Sequence, residues 1–186
     1  MKKLNLIRGL SLIEVLVTIT ITSIGLMGLV SLQMQAVKAT SDSGNRSQAV
    51  WVFNDIVNRI HANENTSKEY IQASLQGCNK PAATCSSYHN GSDEVKAIDC
   101  NGTQLAFWDF YEVACKNTEA GFIGDSIDYL PEANLTVICA GVDCDQNGSP
   151  LVITLEWRAR RDDSEITGAT RDANSGLLTL TDVITP

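Results

Sequence analysis

The sequence predicts an α+β protein in which a long N-terminal helix, apolar in its first half and amphipathic in its second, packs on an antiparallel β-sheet in a disulfide-bonded head. Three observations carry this reading. Residues 10–32 hold one ionisable side chain in 23 positions, and residues 34–60 place apolar side chains three and four apart. Beyond residue 77 come all six cysteines and three runs rich in β-branched residues.

The first element is a span. Leu10 to Leu32 as a helix reaches about 35 Å at ~1.5 Å per residue, enough to cross the hydrocarbon layer. Lys2, Lys3 and Arg8 precede it, and the nearest cations beyond it are Lys38 and Arg46, so the N-terminus is expected to stay in the cytoplasm. Residues from 33 onward are then exported to an oxidising compartment, where Cys78, Cys85, Cys100, Cys115, Cys139 and Cys144 pair. At 44% hydrophobic and 19% charged, the chain is neither a disordered nor a multi-span protein. The net charge of −8 becomes −11 without the three cations of residues 1–9, which argues against nucleic acid as a partner.

Glu14 is what a plain anchor does not explain. A carboxylate near the middle of a span costs about 2.5–3.5 kcal/mol on insertion scales, and less near its edge. A cleavable secretory signal fits no better, because the apolar run is long and its best cleavage-like site, Val37-Lys38-Ala39, has a lysine in the middle.

Arg8-Gly9-Leu10-Ser11-Leu12-Ile13-Glu14 resembles the processing signature of type IV pilins and type II secretion pseudopilins. The resemblance implies cleavage between Gly9 and Leu10 by a prepilin peptidase, methylation of the new N-terminus, and a role for Glu14 in subunit assembly. A buried carboxylate is tolerable when an opposite charge accompanies it, and the α-amino group of a neighbouring subunit's Leu10 supplies one. Leucine stands where the family usually has phenylalanine. Ser23-Ile24-Gly25-Leu26-Met27-Gly28-Leu29 with Gln33, then Arg46-Ser47-Gln48-Ala49 through Asp55, Arg59 and His61-Ala62-Asn63, are similar to the minor pilin class called PilV. Gln104-Leu105-Ala106 and Asp109 extend that similarity more weakly.

The second half of the helix shows its face in Met34, Val37, Ala49, Val50, Phe53, Ile56, Val57 and Ile60. Ser41-Asp42-Ser43-Gly44-Asn45 would locally suggest a break. The resemblance implies one continuous helix instead. Thr18, Thr20 and Thr22 can bond back to the helix's own carbonyls, and Gly25 and Gly28 permit close helix packing.

Residues 64–133, rich in Asn, Ser, Gly and Asp, read as loops and short elements held by disulfides. Leu105–Val113 reads as a strand or short helix whose Phe107, Trp108, Phe110 and Tyr111 fill the core. Leu135–Val142 and Leu151–Arg158 form a hairpin, with Asn147-Gly148 favouring a tight reversal. After a polar loop at 160–176, Leu177–Ile184 adds a third antiparallel strand. Pairing of sequence neighbours, Cys78 with Cys85, Cys100 with Cys115 and Cys139 with Cys144, is the expected connectivity.

Other chemistries find little support. No cysteine pair has the two-residue spacing of a zinc knuckle, so no metal is expected there. Asp143-Cys144-Asp145-Gln146-Asn147-Gly148 matches the opening of a calcium loop, but Thr154 stands where a bidentate glutamate is needed. Gly124-Asp125-Ser126-Ile127 is similar to an esterase nucleophile block, yet neither His61 nor His89 has an orienting carboxylate motif. No enzyme activity and no cofactor is expected.

The organisation implied by the resemblance is a leader (1–9), a transmembrane half-helix (10–32), an amphipathic half-helix (33–62) and a periplasmic head (63–186). The chain is identified as a member of the minor pilins, an inner-membrane subunit that helps prime assembly at the filament tip and supports adhesion and twitching. Its implied partners are the prepilin peptidase, other minor pilins, the major pilin, an inner-membrane assembly platform and a tip adhesin, with an extracellular pilus as destination. A pseudopilin of a type II secretion system is the alternative.

Overall fold

The computed structural model describes residues 11–115, 127, 129–141, 144, 146, 148–158, 170–171 and 177–186. The chain divides into two compact units, residues 1–41 and 42–186.

Helix α1, Leu12–Ala62, contributes to both. In the first unit its apolar side chains are exposed around the whole circumference, and it is long and apolar enough to cross a membrane. Its hydroxyls bond within the helix: Thr18 donates to the Val15 carbonyl and Thr20 to that of Val17, each at 2.8 Å, and Thr22 to that of Thr18 at 2.9 Å. α1 continues through Ser41–Asn45 without a break. The penalty for Gly44, about 1 kcal/mol, is small for a helix that extends for several turns on either side.

In the second unit, the buried stripe of α1 is Ala49, Val52, Phe53, Ile56 and Ile60, at spacings of three and four, with Val57 half-buried. Val50, expected on this stripe, is exposed, as are Met34 and Val37 in the first unit. Val52 takes the place of Val50, which sits one residue round the helix from Ala49 and so faces away.

Residues 64–133 are more regular than expected. A 3₁₀ turn at Glu64–Thr66 leads into α2, Glu69–Gln76, which ends at Gly77 with φ +64°, a left-handed geometry that favours glycine. Strands β1 (Tyr88–His89) and β2 (Glu94–Val95) make a two-residue ladder. The tip of this hairpin is tied by the Asn90 Oδ1, which accepts from the amides of Ser92 and Asp93. α3, Gly102–Ala114, settles the strand-or-helix ambiguity at 105–113. Its start is a capping box: the Asn101 Oδ1 accepts from the Gln104 amide at 2.9 Å, and the Gln104 Oε1 from the Asn101 amide at 3.0 Å. Trp108, Phe110 and Tyr111 are buried, as expected, and Phe107 partly so.

The main sheet comprises β3 (Asn134–Cys139), β4 (Leu151–Arg158), β5 (Thr170–Arg171) and β6 (Leu177–Ile184), all antiparallel in the order β3-β4-β6-β5. β4 alternates as a half-buried strand should. Leu151, Ile153, Leu155 and Trp157 face the core, and Leu155 sits between Leu135 of β3 and Leu180 of β6. The core these residues share with α1 also takes in Tyr70 and Ala73 of α2 and Ala106, Phe110 and Val113 of α3. β5 falls within the stretch expected as a polar loop and adds two residues outside β6. β3 stops at Cys139, short of the expected Val142. Between β3 and β4 the Ala140 amide donates to the Pro150 carbonyl and Gly148 has φ +83°, while Asn147 of the expected reversal lies outside the described residues.

The disulfides are Cys78–Cys115, Cys85–Cys100 and Cys139–Cys144. The first two correct the sequence-neighbour pairing. α3 is the reason: its 13 residues separate Cys100 from Cys115 by about 20 Å of helix, too far to bridge. The chain leaves α2 at Cys78, passes the β1–β2 hairpin and returns along α3, so the outer bridge encloses the inner one.

Candidate functional site

Two groups of polar residues stand out. Gly9 and Leu10, the expected processing site, lie outside the described residues. Glu14 is exposed in the first turn of α1, with its amide on the Ser11 carbonyl at 3.0 Å. A carboxylate there is favoured by the helix dipole. It remains the only ionisable side chain between Gly9 and Leu32.

The second group is a knot that joins the end of α1 to α2 and α3. The Arg59 guanidinium donates to Asp109 and Glu112, each at 2.8 Å, and to Asp55 one turn earlier at 3.2 Å. Asp109 is buried on α3, and its second oxygen accepts from the buried Tyr70 hydroxyl of α2 at 2.7 Å. Glu112 also accepts from Ser86 Oγ, which in turn accepts from the Trp108 indole at 2.9 Å. Beside this knot, Asn63 Nδ2 donates to the Gly102 carbonyl at 2.8 Å and Thr66 Oγ1 to Asn63 Oδ1 at 2.6 Å. The Gly102 backbone lies so close to the side chains of Thr66 and Asn63 that a Cβ there would lie 2.5 Å from Thr66 Oγ1.

Burial pulls the Arg59 guanidinium down, but its bonds to Glu112 and Asp109 and the charge of Asp55 more than offset this and leave it raised. Burial, then the charge and hydrogen bond of Asp109, push Tyr70 up, so the phenol stays a donor. Burial also raises the Asp109 carboxyl above its usual range, against the opposing pull of the Tyr70 and Arg59 hydrogen bonds. These groups are committed to one another, and the arrangement is suited to locking three helices together. Of its members, Asp55, Arg59 and Asp109, together with the neighbouring Asn63 and Gln104, are residues on which the sequence resemblance rests. Tyr70, Ser86, Trp108 and Glu112 were not foreseen as members. One signal was available: Asp109 and Glu112 are three apart on an otherwise apolar α3 and therefore share a face.

A family model described as Tt1218-like, type IV pilin Tt1218, matches residues 31–111, and a prokaryotic N-terminal methylation motif matches residues 4–30. The fold is type IV pilin-like. The family match covers the α1 end, α2, most of α3 and the whole knot apart from Glu112. Together the two matches support a pilin-type structural subunit that is processed by a prepilin peptidase and assembles with other pilins. The pilin family is one of structural subunits, generally non-enzymatic. Comparison with curated proteins and with solved structures gives no match.

His61 and His89 are both exposed, and His89 Nδ1 accepts from the Gly91 amide at 3.0 Å. Residues 124–126 of the esterase-like block, and Asp143, Asp145 and Asn147 of the calcium-like loop, lie outside the described residues.

Proposed function

We propose that this pilin-like chain is a minor pilin of the PilV kind, inserted in the inner membrane with a periplasmic head, cut between Gly9 and Leu10 and methylated on Leu10. The observation that carries this reading is Glu14, the lone carboxylate of the exposed apolar half of α1, five positions beyond Gly9. In the assembled filament the carboxylate meets the N-terminal ammonium of a neighbouring subunit, which offsets the burial of both charges and fixes axial register. Several such subunits form a priming complex at the filament tip with the major pilin, the assembly platform and an adhesin, and through it support adhesion and twitching.

Mass spectrometry of the N-terminus of the membrane-bound form tests the processing step. The expected species begins at methylated Leu10; an intact leader, or a start beyond residue 32, overturns it. Glu14→Ala is expected to leave the protein in the membrane and remove it from sheared filaments. Deletion of the gene with normal piliation but lost protein secretion would transfer the chain to the type II secretion pseudopilins.

A further inference from the structure

Of the three tryptophans, Trp108 and Trp157 are each 1% exposed, whereas Trp51 is 76% exposed. Trp51 belongs to the part of α1 within the head unit. It lines an open groove of about 460 Å³ together with Tyr129, itself 72% exposed. The remaining lining is mostly amide or acid. Gln48, Trp51, Asp55 and Asn58 follow at spacings of three, four and three, which puts them on one stripe of the helix, and Asn54 adjoins it. The buried residue Val52 supplies an apolar floor.

The side chains of Gln48, Asn54 and Asn58 make no internal hydrogen bond among the described residues. Asp55 gives one oxygen to Arg59 and keeps the other uncommitted among those residues. Each carboxamide offers two N–H donors and a carbonyl acceptor, a set that matches the adjacent hydroxyls of a sugar. Each exposed ring offers a flat apolar face that matches the C–H face of a pyranose, with its own polar tip still in water. Among the described residues no lysine or arginine lines the groove and one carboxylate does, which disfavours anionic ligands. The volume falls within the range of small-molecule sites, roughly 300–1,000 Å³. By area the lining is mostly apolar, as in small-molecule sites, and the amides and the acid supply the few polar groups that fix orientation.

We infer that the groove binds a neutral carbohydrate, with one sugar ring on Trp51, a second on Tyr129 and the amides of α1 holding the hydroxyls between them. This uses residues of the head alone and goes beyond the pilus reading without depending on it.

Trp51 also provides the measurement, since quenching by acrylamide reaches one indole in three. The full chain in a phosphocholine detergent, which carries no sugar headgroup, is titrated with maltohexaose, cellohexaose, mannohexaose and chitohexaose, and with a sialylated trisaccharide as the anionic control. At least one neutral oligosaccharide should halve the quenching in a saturable manner. Tyr129→Ala and Asn58→Ala should each raise the dissociation constant about tenfold, equivalent to about 1.4 kcal/mol, with the head still folded by near-ultraviolet circular dichroism. Loss of binding in Trp51→Ala is read by calorimetry. Failure of all four neutral sugars to protect Trp51 overturns the proposal, as does equal protection by the sialylated control. Protection that rises with protein concentration in the absence of sugar also overturns it and assigns the groove to a second copy of the chain.

Discussion

Residues 11–41 and the head use the same aliphatic side chains in opposite ways. In the first unit Ile24 and Met27 are each 72% exposed, and no direction around the helix is protected. In the head Ile56, Ile60, Ile153 and Leu155 are fully buried. The head therefore buries a core of its own, whereas the first unit presents an apolar surface that lipid or neighbouring helices must cover. Stability is a property of the head. What the first unit specifies is an environment.

The largest test of this contrast removes the bridge that encloses the most chain. Replacing Cys78 and Cys115 together by serine should cost the head about 4 kcal/mol by the loop-entropy estimate, against about 2 kcal/mol for Cys139 and Cys144, whose sequence separation is 5 rather than 37. Denaturant unfolding of the full chain in detergent measures both, and equal losses would contradict the nested pairing. Next, Leu155→Ala should destabilise the head by about 3 kcal/mol, while Leu26→Ala in the apolar half-helix should leave its unfolding midpoint unchanged. A shift from the second substitution would break the division between the units.

Tyr70→Phe should cost about 2 kcal/mol, because it removes a hydrogen bond to a buried charged acceptor and leaves Asp109 under-satisfied. The smallest effect is one of pH. The folded chain holds the Asp109 proton more tightly than the unfolded chain does, since its carboxyl is raised above the ordinary 3.8. The contribution of this group to stability is therefore full below 3.8 and declines as pH rises through the raised value. The stability of the wild type relative to Asp109→Asn should fall from acid toward neutral pH, and a rise would sink this account of the knot.

The sequence revealed the parts of the head that depend on period and punctuation. Leu151–Arg158 and Leu177–Ile184 are strands with the expected bounds because alternation and flanking turn residues agree there. The α1 stripe is legible at Ala49, Phe53, Ile56, Val57 and Ile60; Val52 belongs to it in place of its apolar neighbour Val50, and Met34 and Val37 are exposed in the first unit. α2 is hard to see in the sequence because its amphipathic pattern lasts only eight residues, and its burial of Tyr70 and Ala73 exists only in three dimensions. α3 could have been read from Asn101 and Gln104, whose spacing is that of a capping box. The disulfide pairing failed for a related reason: once α3 is a helix, Cys100 and Cys115 cannot meet. The knot was half visible. Its α1 members and Asp109 were noticed for resemblance, but nothing local shows that Arg59 reaches across about 50 residues to a partner on α3.

The β1–β2 hairpin has a practical consequence. Its tip at Gly91–Asp93 is exposed, its turn is held by the side chain of Asn90, and the Cys85–Cys100 bridge pins the chain on either side of it. A guest peptide grafted between Gly91 and Ser92 would be insulated from the core by that clasp. The tip is therefore the natural place for an epitope or dye acceptor with which to follow this protein in living cells.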